Sequence, residues 1–107
     1  MIERLTFDFP GHPSPVHPVR NSAFAGVVNS GNLEVLMESV DLGGRCHVEV
    51  RTSANGYKST WQAVLNEFFA RNRFCDIKVT INDFGATPAI VSLRLDQAAL
   101  EIMEKET

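Results

Sequence analysis

A serine set among turn-forming residues, Asn29-Ser30-Gly31-Asn32, is the most chemically suggestive feature of the chain. Runs of strand-forming residues flank it, Ala23 to Val28 before and Leu33 to Val40 after. Asn and Gly accept the positive φ angles that tight turns require, so the stretch reads as a β-hairpin with Ser30 at its tip. A hydroxyl there is not consumed by a sheet ladder, and another enzyme can reach and modify it. The competing reading is an ordinary turn serine, because short motifs match by chance.

Other candidates are weaker. His12 and His17 lie in the proline-rich stretch Pro10 to Pro18. A metal site usually needs a third or fourth ligand on a rigid frame, so these read as solvated loop histidines. Cys46 and Cys75 form no CxxC pair. Cys46 falls in phase with buried strand positions and reads as a small core residue, whereas His47 falls in phase with charged, exposed ones. Asp83-Phe84-Gly85 matches a kinase motif in its letters alone; no glycine-rich loop or catalytic loop accompanies it. No order or spacing supports a Ser-His-Asp or Cys-His set, and no phosphate-binding glycine loop is present. One well-presented serine without catalytic company suits a substrate of partner enzymes better than an autonomous enzyme.

The elements that must position Ser30 follow from periodicity. Leu5, Phe7 and Phe9 alternate, which predicts an N-terminal strand within Met1 to Phe9; the prolines after it predict an extended arm or surface loop. Asp41-Leu42-Gly43-Gly44 is a second turn. Cys46, Val48, Val50 and Thr52 alternate with His47, Glu49 and Arg51, as do Ile77, Val79 and Ile81 with Lys78, Thr80 and Asn82, predicting two half-buried strands. Between them Trp61, Val64, Leu65, Phe68 and Phe69 recur at helical spacing. Ser59 with Gln62 predicts a capping box at that helix start, and the helix is expected to end near Asn72. Ala89 to Leu95 is expected to be a further strand, with Asp96 capping a short terminal helix. The fold class is a two-layer α+β domain, mostly antiparallel sheet with one main amphipathic helix on one face. If the strands run up and down in turn, Asn29–Asn32, Ser53–Lys58 and Asp83–Pro88 share one end of the sheet. A helix N-terminus there would favour an anionic group.

Three segments together resemble the malonate decarboxylase acyl carrier protein (delta subunit) family. They are Ala-Gly-Val-Val-x-Ser-Gly-x-Leu-Glu-Val from Ala25 to Val35, Arg51-Thr52-Ser53-Ala54-Asn55-Gly56 with Trp61 beyond, and Asn82-Asp83-Phe84-Gly85-Ala86-Thr87-Pro88 followed by the strand-like Val91-Ser92-Leu93-Arg94-Leu95. They occur in the family's order and span most of Ala25 to Gln97. Members often carry Gly at the Asn29 position and Asp at the Asn32 position, changes that keep turn chemistry. The resemblance implies that Ser30 carries a covalent phosphoribosyl-dephospho-CoA, 2'-(5''-phosphoribosyl)-3'-dephospho-CoA, through a phosphodiester. It implies a dedicated prosthetic-group transferase, and acyl-carrier transferase and decarboxylase subunits as partners. The distal thiol would carry acetyl and malonyl thioesters. The carrier of citrate lyase uses the same type of group, but the Asp-Phe-Gly-Ala-Thr-Pro segment favours malonate decarboxylase. An unmodified interaction module is the other alternative. The familiar helical acyl carriers, modified at an Asp-Ser-Leu segment, are not matched.

Composition bounds these readings. The 107 residues are 44% hydrophobic and 21% charged, which points to one globular acyl-carrier domain spanning 1–107, with the strand and arm in 1–20. A net charge of −3 argues against a nucleic-acid partner. No apolar run approaches a membrane span, and no signal peptide opens the chain, so reduced thiols and a cytoplasmic setting are expected.

Overall fold

The computed structural model describes residues 2–27 and 29–104. The strands form where one-faced alternation is cleanest: β1 (Glu3–Phe9), β2 (Ser22–Gly26), β3 (Leu33–Ser39), β4 (Cys46–Thr52) and β5 (Ile77–Asp83). Two helices complete the chain, α1 (Lys58–Arg71) and α2 (Pro88–Met103). Val28, the last residue of one expected strand, lies outside the described residues, as does Met1 of another.

The sheet order is β1-β4-β5-β3-β2. All neighbours are antiparallel except β4 and β5, which run parallel and are joined through α1. Across the sheet Phe7, Val48, Val79, Met37 and Ala23 stand side by side and all are buried. This face carries both helices, with α1 against β1, α2 against β2 and β3, and the helices against each other. Phe9 and Phe69 bring their rings to 4.5 Å, tying the β1 edge to α1. The opposite face carries Thr6, Glu49, Thr80, Leu36 and Phe24 in the matching row, half-buried or exposed. The α+β, mostly antiparallel architecture is as expected.

Three local expectations are corrected. The stretch Ala89 to Leu95 is helix, not strand. Val91, Leu93 and Leu95 alternate, but the buried set is Val91, Leu95, Ala98, Ala99 and Ile102, a helical stripe, and Leu93 faces outward. Thr87 caps this helix, accepting from the Ile90 N–H at 3.4 Å, and Pro88 begins it. Asp96 is therefore not a cap: it lies mid-helix and accepts from Arg71 of α1 at 2.9 Å. At α1 the capping box does not form. The helix starts at Lys58 after Tyr57, with no side-chain cap, and Gln62 donates to Asn66 instead. Its end at Arg71, before Asn72, is as expected.

The proline-rich stretch is a strap rather than a free arm. It crosses from β1 at one edge to β2 at the other. The N–H groups of His12 and Val16 donate to Phe74 and Arg73 carbonyls, and those of Val19 and Arg20 both donate to the Ile102 carbonyl. Val16 packs against the core.

Candidate functional site

Ser30 sits in a turn closed by the Asn32 N–H donating to the Asn29 carbonyl at 3.0 Å. Gly31 takes a positive φ of 78°, the second central position where such a turn demands it, and space around it is open. The turn is longer than the four residues expected. The last β2–β3 pair is Gly26 with Glu34, and Leu33 already pairs with Asp83 of β5. Gly26, φ 115°, lies so close to β3 that a Cβ there would stand 2.0 Å from the Leu33 carbonyl oxygen. That contact lets the chain leave β2 and lean toward β5.

A backbone brace holds it there. The Gly31 N–H donates to the Phe84 carbonyl at 2.8 Å, and the Phe84 N–H donates to the Asn32 carbonyl at 2.9 Å. Asn32 Oδ1 accepts from the Leu33 N–H at 2.8 Å and from Arg94 Nε of α2 at 3.2 Å. Ser30 itself is exposed, and among the described residues its hydroxyl makes no hydrogen bond. Arg94 also donates to Gln97 at 2.9 Å, but it forms no ion pair with any described residue. A guanidinium without a described ion-pair partner thus lies beside the turn.

The loop after β4 joins the same end. Thr52, fully buried, donates through its hydroxyl to Asp83 Oδ2 at 2.7 Å, and the Ser53 N–H donates to the Asp83 carbonyl. Asp83 Oδ1 accepts from the Ala86 N–H at 2.9 Å, turning the chain toward α2. So the three segments do share one end, and Asp83 is the residue that gathers them. The start of α1 lies at this end, as expected, and the helix that bonds the serine turn itself is α2, through Arg94. Ser53 and Ser59, both exposed, also lie toward this end, whereas Ser22 and Ser39 lie at the far ends of β2 and β3.

Beside the brace is a cleft of about 400 Å³. Tyr57, Trp61 and Val64 line it from α1 and the loop before it; Ala86, Pro88 and Val91 line it from the other side, with Asp83 the acidic residue in its wall.

The remaining candidates are structural. Cys46 is buried, and burial pushes its thiol up to about 11, so it is no nucleophile at neutral pH. The Cys75 thiol is pushed up too, by desolvation first and then by Asp76. His12 is exposed and accepts from the Ser14 N–H; His47 bonds Asp8 at 2.8 Å on the open face. Among the described residues no cluster of His, Cys, Asp or Glu could hold a metal, and no helix is long and apolar enough to cross a membrane.

Fold and site define a class: a small α+β domain that presents an exposed hydroxyl on a braced turn. The family model described as "Malonate decarboxylase delta subunit (MdcD)" matches residues 20–102. The malonate decarboxylase acyl carrier protein of Xanthomonas euvesicatoria pv. vesicatoria is 55% identical over 103 residues, 96% of each chain. That of Stenotrophomonas maltophilia strain K279a is 45% identical over 105 residues, 98% of each. A chain in the crystal structure of a Pseudomonas malonate decarboxylase hetero-tetramer in complex with malonate superposes with a TM-score of 0.81 at 41% identity, covering 94% of this chain and 98% of that one. The chain belongs to the malonate decarboxylase acyl carrier protein family.

Proposed function

We propose that this chain is the acyl carrier subunit of a cytoplasmic malonate decarboxylase and that Ser30 carries phosphoribosyl-dephospho-CoA. The single observation carrying the site is the braced turn: among the described residues its exposed Ser30 hydroxyl makes no hydrogen bond, and Arg94, which forms no ion pair with any of them, bonds Asn32 of the same turn. The donor set fits an anionic phosphodiester. Ser30 Oγ supplies the bridging oxygen, losing its proton as pyrophosphate leaves the triphosphate precursor. Arg94 offers charged N–H donors to the phosphate oxygens, a stronger contact than a neutral donor makes. The brace from Phe84 fixes the Ser30 backbone, so the transferase meets one geometry and not a mobile loop. When bound, the group supplies a thiol whose acyl thioesters can stabilise a carbanion as CO2 departs. Partners are a prosthetic-group transferase and the transferase and decarboxylase subunits of the complex. Residue support comes from the intact Ser-Gly-x-Leu-Glu-Val and Asp-Phe-Gly-Ala-Thr-Pro segments, which meet at the brace. Intact-mass measurement and peptide mapping on chain purified from its native host test the assignment. The expected result is the added mass of the coenzyme A derivative on the peptide holding Ser30. Added mass on the Ser53 peptide, or none on chain from an active complex, overturns it.

A further inference from the structure

The cleft shares a wall with the serine turn. Phe84 bonds Gly31 and Asn32, and its chain neighbours Asp83 and Gly85 both line the cleft. Following the backbone at about 3.8 Å per residue, the wall lies within roughly 15 Å of Ser30. An arm that enters a partner's active site is long enough to fold back over that span. About 400 Å³ falls within the range of small-molecule sites. The lining is mainly apolar, and among the described residues no Lys, Arg or His is part of it. The one acidic group among the described residues of the wall, Asp83, is buried, and both its oxygens already accept hydrogen bonds.

From these observations we propose that the cleft holds the thiol end of the arm when it bears a short uncharged acyl group, acetyl, and excludes it when it bears malonyl. The proposal rests on Ser30 as the attachment residue. An acetyl thioester loses only water by entering an apolar cleft. A malonyl group would bring a carboxylate into a site that has no cation among its described lining residues and next to the Asp83 carboxylate. Desolvation and like-charge repulsion both oppose it. The acyl group thereby sorts the arm: the acetyl form rests on its own carrier and the malonyl form stays free for the decarboxylating partner.

Thr60 is an exposed rim residue in the first turn of α1, apart from Ser30 and Arg94. Thr60→Phe fills the cleft from the rim, and Ala86→Leu fills it from the opposite wall. Hydroxylamine cleavage of the acetyl and malonyl thioesters is measured on modified wild-type and variant chains that retain native melting. The acetyl thioester is expected to be cleaved about tenfold more slowly on wild type than on either variant, as when it leaves the cleft about a tenth of the time. Malonyl cleavage is expected to be equal on all three. The fluorescence of Trp61, the chain's one tryptophan, is expected to change on acetyl loading and not on malonyl loading. Equal acetyl rates on modified wild type and variants overturn the cleft alone and leave the attachment standing. A mass spectrum showing Ser30 unmodified in native complex overturns the attachment, and the cleft proposal falls with it.

Discussion

The central strand β5 is bounded by an aspartate at each end, Asp76 just before it and Asp83 as its last residue, and the two ends of the sheet are built around them to opposite effect. Asp76 takes a left-handed conformation, φ 55°, and its Oδ1 accepts from the Leu42 and Gly44 N–H groups, each at 2.8 Å. The strap closes over that turn: a Cβ on Gly11 would stand 1.7 Å from the Gly44 carbonyl oxygen. Backbone lies directly on backbone there. Asp83 also collects two loops, through Thr52 and Ala86, but they stay apart over the cleft and leave Ser30 in the open. One device thus seals one end and props the other. Sealing serves stability, and propping leaves room for chemistry.

Ser30→Ala is expected to break the contrast most completely. It removes the proposed attachment oxygen, so added mass is expected to disappear, while melting moves by no more than about 0.5 kcal/mol for an exposed side chain. A Ser30→Ala chain that still gains the group would reassign the site. Trp61→Ala tests whether the propped end also carries core stability: Trp61 is 6% exposed, and its loss is expected to cost about 3–5 kcal/mol in urea unfolding. Near-native unfolding with altered acyl transfer would make Trp61 a cleft residue alone. At the sealed end Gly11→Ala is expected to cost about 1–3 kcal/mol, since backbone must move to admit the methyl. An unchanged unfolding midpoint would show the strap to be loosely laid.

Arg94→Gln is expected to raise the KM of the proposed prosthetic-group transferase for this carrier about tenfold, the loss of one charge-assisted bond of about 1.5 kcal/mol, with kcat unchanged. Arg94→Lys is expected to recover most of it, which a packing role would not predict. The smallest effect concerns pH. Backbone N–H groups of Leu42 and Gly44 lower the Asp76 pKa. A carboxyl lowered in the folded state stabilises above its unfolded pKa and loses that contribution as pH falls through the folded value. Asp76→Asn is therefore expected to melt earlier than wild type at neutral pH, with the gap closing below about pH 4. A gap unchanged down to acid would exclude the charge as its source.

Much of this is legible in the residues. Each strand buries one face, so alternation marks it, and for Cys46–Thr52 it marks both ends to the residue. The sharing of one end by the three loops follows from counting strand directions. Strand order does not, because alternation says which face a residue takes and not which neighbour it meets. The brace is hidden for a related reason: Gly31 N–H to Phe84 carbonyl is a backbone contact without a side-chain signature. Arg94 is hidden inside a stretch that reads as strand, where five alternating residues fit either period. The Thr87-Pro88 pair, a cap followed by a first-turn proline, is the signal that could have corrected it. The cleft arises from how two helix starts are spaced, which no local pattern encodes.

The position of β5 has a consequence for the order of events in folding. It is the fifth strand in the chain and the middle strand of the sheet, and β3 and β4 touch only through it. The β2–β3 hairpin and the β1–β4 pair can assemble as separate halves, yet neither belongs to a common sheet until residues 77–83 slot between them. Such late, non-local pairing slows folding because distant segments must be confined before contacts reward them. Phe84, which braces the serine turn, arrives immediately after. A growing or truncated chain that stops short of it displays Ser30 on an unbraced loop, so the finished geometry of the turn reports that the whole sheet has closed.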